Sequence, residues 1–218
     1  MRRLLFIALS FVLTFGLLSC EDESGTYDAY ADWQARNEAW FVQIADSARS
    51  AIRSARQAYG NEWESHCDWR MYKALDKSPT YDSKLVTDSI CVRILSRGTG
   101  THSPVYTDSV RVNYRGWLMP TTDAKGQREE KVFDQSYYGT FNSATAAPFK
   151  LSVAGVVIGF GTALQYMVEG DEWMVYIPSQ LAYGETATDG GIPAFSTIRF
   201  RLQLMGIYPK GTTVPEWR

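Results

Sequence analysis

A chain of 218 residues that is 45% hydrophobic and 21% charged has a globular composition, with enough length for one ordinary domain and an appendage. Its 22 Lys and Arg against 24 Asp and Glu leave a net charge of −2 without any basic run, which argues against nucleic-acid binding because phosphate contacts need clustered cations. Aromatic residues make up 14%, including 13 Tyr and 7 Trp, so the chain has either an aromatic binding surface or an aromatic-rich core.

In chain order, residues 1–19 read as a targeting signal. A basic MRR start is followed by an apolar run from Leu4 to Leu18, shorter than the roughly 20 residues of a spanning helix. The run ends in LLSC, which resembles a bacterial lipobox. The resemblance implies cleavage before Cys20 and acylation (palmitate) of its thiol, hence a lipid anchor in the cell envelope, at the outer membrane, facing the periplasm or the surface. The alternative is an ordinary secretory signal with an incidental Cys. Residues 20–27 form an acidic tether. Residues 28–59 predict a long helix with Trp33, Trp40, Ile44, Ala48, Ile52, Ala55 and Tyr59 near helical period, stopped at Gly60-Asn61. Such a stripe must be covered, by the following domain or by a second copy, so a homodimer through the N-terminal helix is one use for it. Residues 63–75 predict a second, shorter helix, and the whole of 28–85 is read as a helical extension. With Cys20 lipidated, Cys67 and Cys91 remain as a pair for which an oxidising compartment permits a disulfide.

From residue 86 the pattern turns to period two. Val110, Val112 and Tyr114 alternate with polar residues, as do Ile198, Phe200, Leu202 and Leu204, while Trp173, Val175 and Ile177 alternate with Met174 and Tyr176. These are half-buried antiparallel strands. One short helix is predicted over 161–167, and polar or irregular loops over 119–131 and 135–148. A sheet with a single helix, over 86–210, is an α+β arrangement.

Nucleophilic and metal chemistry find no support. His66 and His102 are the only histidines, neither at ligand spacing, and GxSxG, P-loop, HExxH and GxGxxG are missing. No metal or cofactor is expected, and function rests on shape and apolar surface.

Residues 89–208 carry seven segments that resemble, in order, the FKBP family of peptidyl-prolyl cis–trans isomerases: ILSRGTG (94–100), VRVNYRGWL (110–118), KVFDQS (131–136), PFKLSV (148–153), VVIGFGTALQYM (156–167), IPSQLAYGE (177–185) and GIPAFSTIRFRLQLMGI (191–207). The resemblance implies an antiparallel sheet wrapped around one short helix, and an apolar cup for a proline ring. In that cup Tyr114, Phe133, Asp134, Phe160 and Tyr183 would be catalytic, and Phe149, Val156, Val157, Ile192 and Phe200 would bind substrate. The implied partners are Xaa-Pro polypeptides. Three departures from the family pattern lie in the cup: Phe160 replaces a floor tryptophan, and Gly191 and Ala194 replace an Ile and a Pro in the lip. The loops before Phe133 and before Phe149 are longer than the family's. An isomerase assisting exported proteins is therefore expected, with a catalytically weak chaperone or binding module as the alternative, and a purely structural lipoprotein subunit as the third.

Overall fold

The computed structural model describes residues 27–77, 85–142 and 145–217. Cys20, the leader and nearly all of the tether lie outside them. Helix α1 runs Trp33–Tyr59 and ends at Gly60, whose φ of 55° suits glycine and whose N–H donates to Arg56 O. A 3₁₀ turn over Gly60–Ser65 leads into strand β1 (Trp69–Lys73). Then come β2 (Ser89–Ser96), β3 (Ser109–Leu118), a small hairpin of β4 (Thr121–Thr122) and β5 (Arg128–Glu129), β6 (Val132–Gln135) and β7 (Phe149–Ser152). Helix α2 (Ile158–Leu164), β8 (Glu172–Ile177) and β9 (Ile198–Tyr208) complete the chain.

The main sheet has the order β1-β2-β8-β9-β3-β6, and β7 also pairs with β3. Every pairing is antiparallel. Trp173, Val175 and Ile177 of β8 and Ile198, Phe200, Leu202 and Leu204 of β9 are buried, as their alternation predicts. They join Ile90, Val92, Phe160, Ala163, Leu164 and Met167 in one core around α2. Gly159 allows that contact. A Cβ there would lie 2.3 Å from Ile177 Cγ2, so any larger residue would lift α2 off the sheet.

Helix α1 covers the opposite face. Phe41 and Ala45 pack with Cys91, flanked by Ile44, Trp69, Met71 and Tyr176. The buried stripe is Trp33, Asn37, Phe41, Ala45, Ala48 and Ala55, turned slightly from the predicted one: Trp40, Ile44 and Ile52 lie at its margin and Tyr59 is exposed. Small residues sit closest to the strands because they let the helix approach.

Two expectations are corrected. Residues 63–75 are not a helix, since β1 occupies Trp69–Lys73 and the main sheet thus starts inside the segment read as helical extension. The alternation explains it: Trp69 and Met71 face α1 while Tyr72 faces the α2 core. Arg70, 5% exposed, donates to Cys67 O, Trp69 O and Glu64 O, and so holds carbonyls that a helix would have turned along its axis. The disulfide is also absent, because Cys67 and Cys91 are both free. Cys91 pairs with Met71 across β1–β2, whereas Asp68, beside Cys67, bonds Ile94 three residues further along β2. At about 3.3 Å per residue that offset, roughly 10 Å, exceeds the Cα separation a bridge tolerates.

Candidate functional site

Strand β3 brings most of the candidate residues together. One of its edges is taken by β9 throughout, while the other is shared: β7 pairs with Ser109–Val112 and β6 with Arg115–Trp117. Tyr114 lies opposite the gap where the chain leaves the sheet. There Ser136 completes the ladder, its N–H donating to Tyr114 O at 2.9 Å and its Oγ accepting from Tyr114 N–H at 2.8 Å. The gap places Asp134 of β6 and Phe149 of β7 on either side of the Tyr114 ring.

The rings form a connected cluster. Tyr114 meets Phe160 at 6.1 Å and 89°, Phe149 at 6.3 Å and 82°, and Phe200 at 6.1 Å and 65°. Phe200 also meets Phe160 at 4.9 Å and Phe133 at 5.4 Å, both near perpendicular. Edge-to-face contacts suit the aromatic quadrupole. Gly116 makes the last of these possible. A Cβ there would stand 2.5 Å from the Phe200 ring and 2.7 Å from that of Phe133. Phe160, Phe200 and Ile192 are buried, and Val156, Val157, Phe133 and Tyr114 are half-buried against them. At the edge, Phe149 is 55% and Tyr183 38% exposed. The arrangement is thus a buried aromatic floor with an accessible rim.

Polar groups are sparse and ordered. The Tyr114 hydroxyl donates to Asp134 Oδ2 at 3.0 Å. Burial, then the hydrogen bond to the Asp134 carboxylate, pushes the Tyr114 phenol well above its ordinary range. Burial, with the nearby charge of Asp134, raises Tyr183 as well. Both phenols therefore stay protonated at neutral pH. Tyr114's proton is committed to Asp134, which leaves Tyr183 as the rim hydroxyl free to donate outward.

Outside this cluster, a groove of about 320 Å³ runs along the flank of α2 between Leu75, Tyr106, Val156, Ile158 and Thr162. It meets the ring cluster at Val156. Sequence reasoning also missed Trp33, Asn37, Ser196 and Thr197, which hold the loop carrying Ile192. The available signal was Asn37 itself, a polar residue on the apolar face of α1.

An antiparallel sheet curled round one short helix, carrying an aromatic cluster with an accessible rim, defines an α+β protein. Comparison with known proteins is specific. Residues 100–205 match the family described as FKBP-type peptidyl-prolyl cis-trans isomerase. The chain is 37% identical over 115 residues to the FKBP-type 22 kDa peptidyl-prolyl cis-trans isomerase of Escherichia coli, which is 53% of this chain and 48% of that one. It is 31% identical over 120 residues to FK506-binding protein 1A of Neurospora crassa, 55% of this chain and 89% of that one. With the outer membrane protein MIP of Legionella longbeachae it shares 31% over 115 residues, 53% of this chain and 42% of that one. The chain belongs to the FKBP-type peptidyl-prolyl cis-trans isomerase family. It spans about half the length of the two bacterial relatives.

Proposed function

We propose that the chain is a peptidyl-prolyl cis–trans isomerase acting on Xaa-Pro bonds of exported polypeptides, held at the outer membrane by lipid on Cys20. The observation that carries this reading is the ring cluster: three aromatic side chains around Tyr114, and Phe133 joined through Phe200, with the Tyr114 proton fixed on Asp134 and the Tyr183 hydroxyl at the rim. The proline ring would rest on Phe160, walled by Tyr114, Phe133, Phe149 and Phe200, with Val156, Val157 and Ile192 at its edges.

The chemistry needs no covalent step. Rotation about an Xaa-Pro bond faces a barrier of about 20 kcal/mol because it breaks amide resonance. The twisted amide is less polar than the planar one, so a dry aromatic floor disfavours the twisted form less than the planar one. The Val157 N–H and the Tyr183 hydroxyl would hold the flanking carbonyls as the bond turns. An acceleration of about 10⁴ requires about 5.5 kcal/mol at the transition state. Relatives carrying the isomerase name, and one named as an outer membrane protein, support the activity and the location. Among the described residues no helix is long and apolar enough to cross a membrane, so a membrane location would rest on the Cys20 lipid. A homodimer through α1 would have to use the face of that helix pointing away from the sheet.

A binding role for extended apolar segments is the second reading. It is favoured by the groove beside α2, where Leu75, Tyr106 and Ile158 are exposed at 47%, 61% and 42%. Isomerisation of an Ala-Pro peptide by protein starting after Cys20, measured by NMR exchange, tests the first reading, with Phe160→Leu and Tyr183→Phe as controls. Activity that falls in both supports it. A folded wild type without activity, which still suppresses aggregation of an unfolded client, would move the assignment to the second.

A further inference from the structure

The loop from Tyr183 to Thr197 carries two rim residues, Tyr183 and Ile192, and it is held at its far end by the start of α1. Asn37 has no exposed surface. Its Oδ1 accepts the Thr197 N–H at 2.9 Å, its own carbonyl accepts the Thr197 hydroxyl at 3.3 Å, and its Nδ2 donates to Trp33 O at 2.8 Å. One turn earlier, the Trp33 indole N–H donates to Ser196 Oγ at 3.0 Å, and that hydroxyl donates to Pro193 O at 2.6 Å. Trp33 belongs to the same buried cluster as Ile192, Phe160 and Phe200, whereas Phe41 and Ala45 further along the helix belong to the cluster on the other face. Between the two anchored segments Phe195 sits at φ 60°, a conformation that a bulky side chain adopts only when its surroundings impose it. Its N–H donates to Gly184 O at 2.8 Å, next to Tyr183. The lip itself contains Gly191 and Ala194, which constrain a backbone less than the Ile and Pro they replace.

We infer that Trp33 and Asn37 are positioning residues for the pocket: the first two turns of α1 brace the 184–197 loop and so set where Ile192 closes over the substrate. This rests on the isomerase reading, since it names what shapes that same site. The brace substitutes for stiffness the lip lacks, and it makes the N-terminal helix part of the binding site without touching substrate.

Asn37→Ala, Trp33→Phe, Ser196→Ala and the Trp33→Phe/Ser196→Ala pair test it, with Ser47→Ala on the exposed face of α1 as control. The expected result is a KM raised about tenfold for Asn37→Ala and about threefold for Trp33→Phe, with kcat within about twofold, because a displaced lip weakens binding more than rotation. The double variant should be no worse than the more severe of the two single ones. Amide exchange at Ile192 and Phe195 should rise in step. Unchanged KM per folded molecule overturns the inference, whether or not exchange rises, because the brace would then support the fold alone. Should Asn37→Ala not fold, Trp33→Phe, which keeps an aromatic ring and loses the indole N–H with part of the volume, decides. An inactive wild type would instead remove the isomerase reading. The brace is then judged by loop exchange and by binding of the Ala-Pro peptide: faster exchange with weaker binding in the variants upholds it, and no change in either refutes it.

Discussion

Strand β8 divides two interiors that are built differently. On one side Trp173, Val175 and Ile177 meet α2 through large side chains, and the space between sheet and helix is continuous with the ring cluster. On the other, Tyr176 meets α1 alongside Cys91, Ala45 and Phe41, where small residues bring helix and sheet close together. The first interior is held by volume, and part of it opens at the candidate site. The second is held by proximity and contributes stability, except at the first turns of α1. Substitutions on the α2 side should therefore change stability and activity together, and those on the α1 side stability alone.

The largest effect should come from Phe160→Ala, which removes a buried ring touching Tyr114 and Phe200. It is expected to cost about 3–5 kcal/mol by denaturant unfolding and to abolish isomerisation in the fraction that folds. Next is an alkaline effect that begins on the α1 side. Burial pushes the Cys91 thiol up to about 12 from 9.0. The unfolded thiol ionises first, so stability is intact below pH 9 and declines as pH rises toward 12, by about 4 kcal/mol in total. Tyr176, raised by burial from 10.0, adds to the decline only above pH 10, as do the raised phenols of Tyr72, Tyr114 and Tyr183. Cys91→Ala should move the onset of alkaline unfolding from near pH 9 to near pH 10, read by circular dichroism. An unchanged onset would mean the thiol is not shielded by α1.

Two smaller changes sharpen the contrast. Ala48→Leu on α1 overfills the close approach and should cost about 1–3 kcal/mol while leaving kcat/KM per folded molecule intact. Gly116→Ala should cost a similar amount but lower kcat/KM at least tenfold, because its methyl displaces both the Phe133 and Phe200 rings. Equal loss of activity in both variants would erase the distinction between the two faces.

The sequence made the α2 side far more legible than the α1 side. The alternation in β9 follows directly from inward apolar and outward polar residues, that in β8 from buried Trp173, Val175 and Ile177 between Met174 and Tyr176, and the ring cluster follows from the resemblance. Helix α2 begins three residues before the predicted 161, because Gly159 looks like a boundary while its real role is clearance against Ile177. Strand β1 was hidden because Arg70 breaks the simple pattern by burying its guanidinium among carbonyls. The stripe of α1 was misjudged by about one position, since large residues flag a buried face and here alanines occupy its centre. The contacts of Asn37 with Thr197 span 160 residues, a separation that local periodicity does not report.

That separation also governs how the molecule is made. Helix α1 emerges early from synthesis or translocation, yet its cover in β8 and its contacts at Ser196 and Thr197 lie over a hundred residues downstream. At about 5–20 residues per second the stripe waits roughly 10–30 s for them. Closing such distant contacts is slow. The rim would thus be among the last parts to assemble, and a chain cut short before Ser196 would lack the loop contacts of Trp33 and Asn37 while keeping the β1, β2 and β8 residues that face α1.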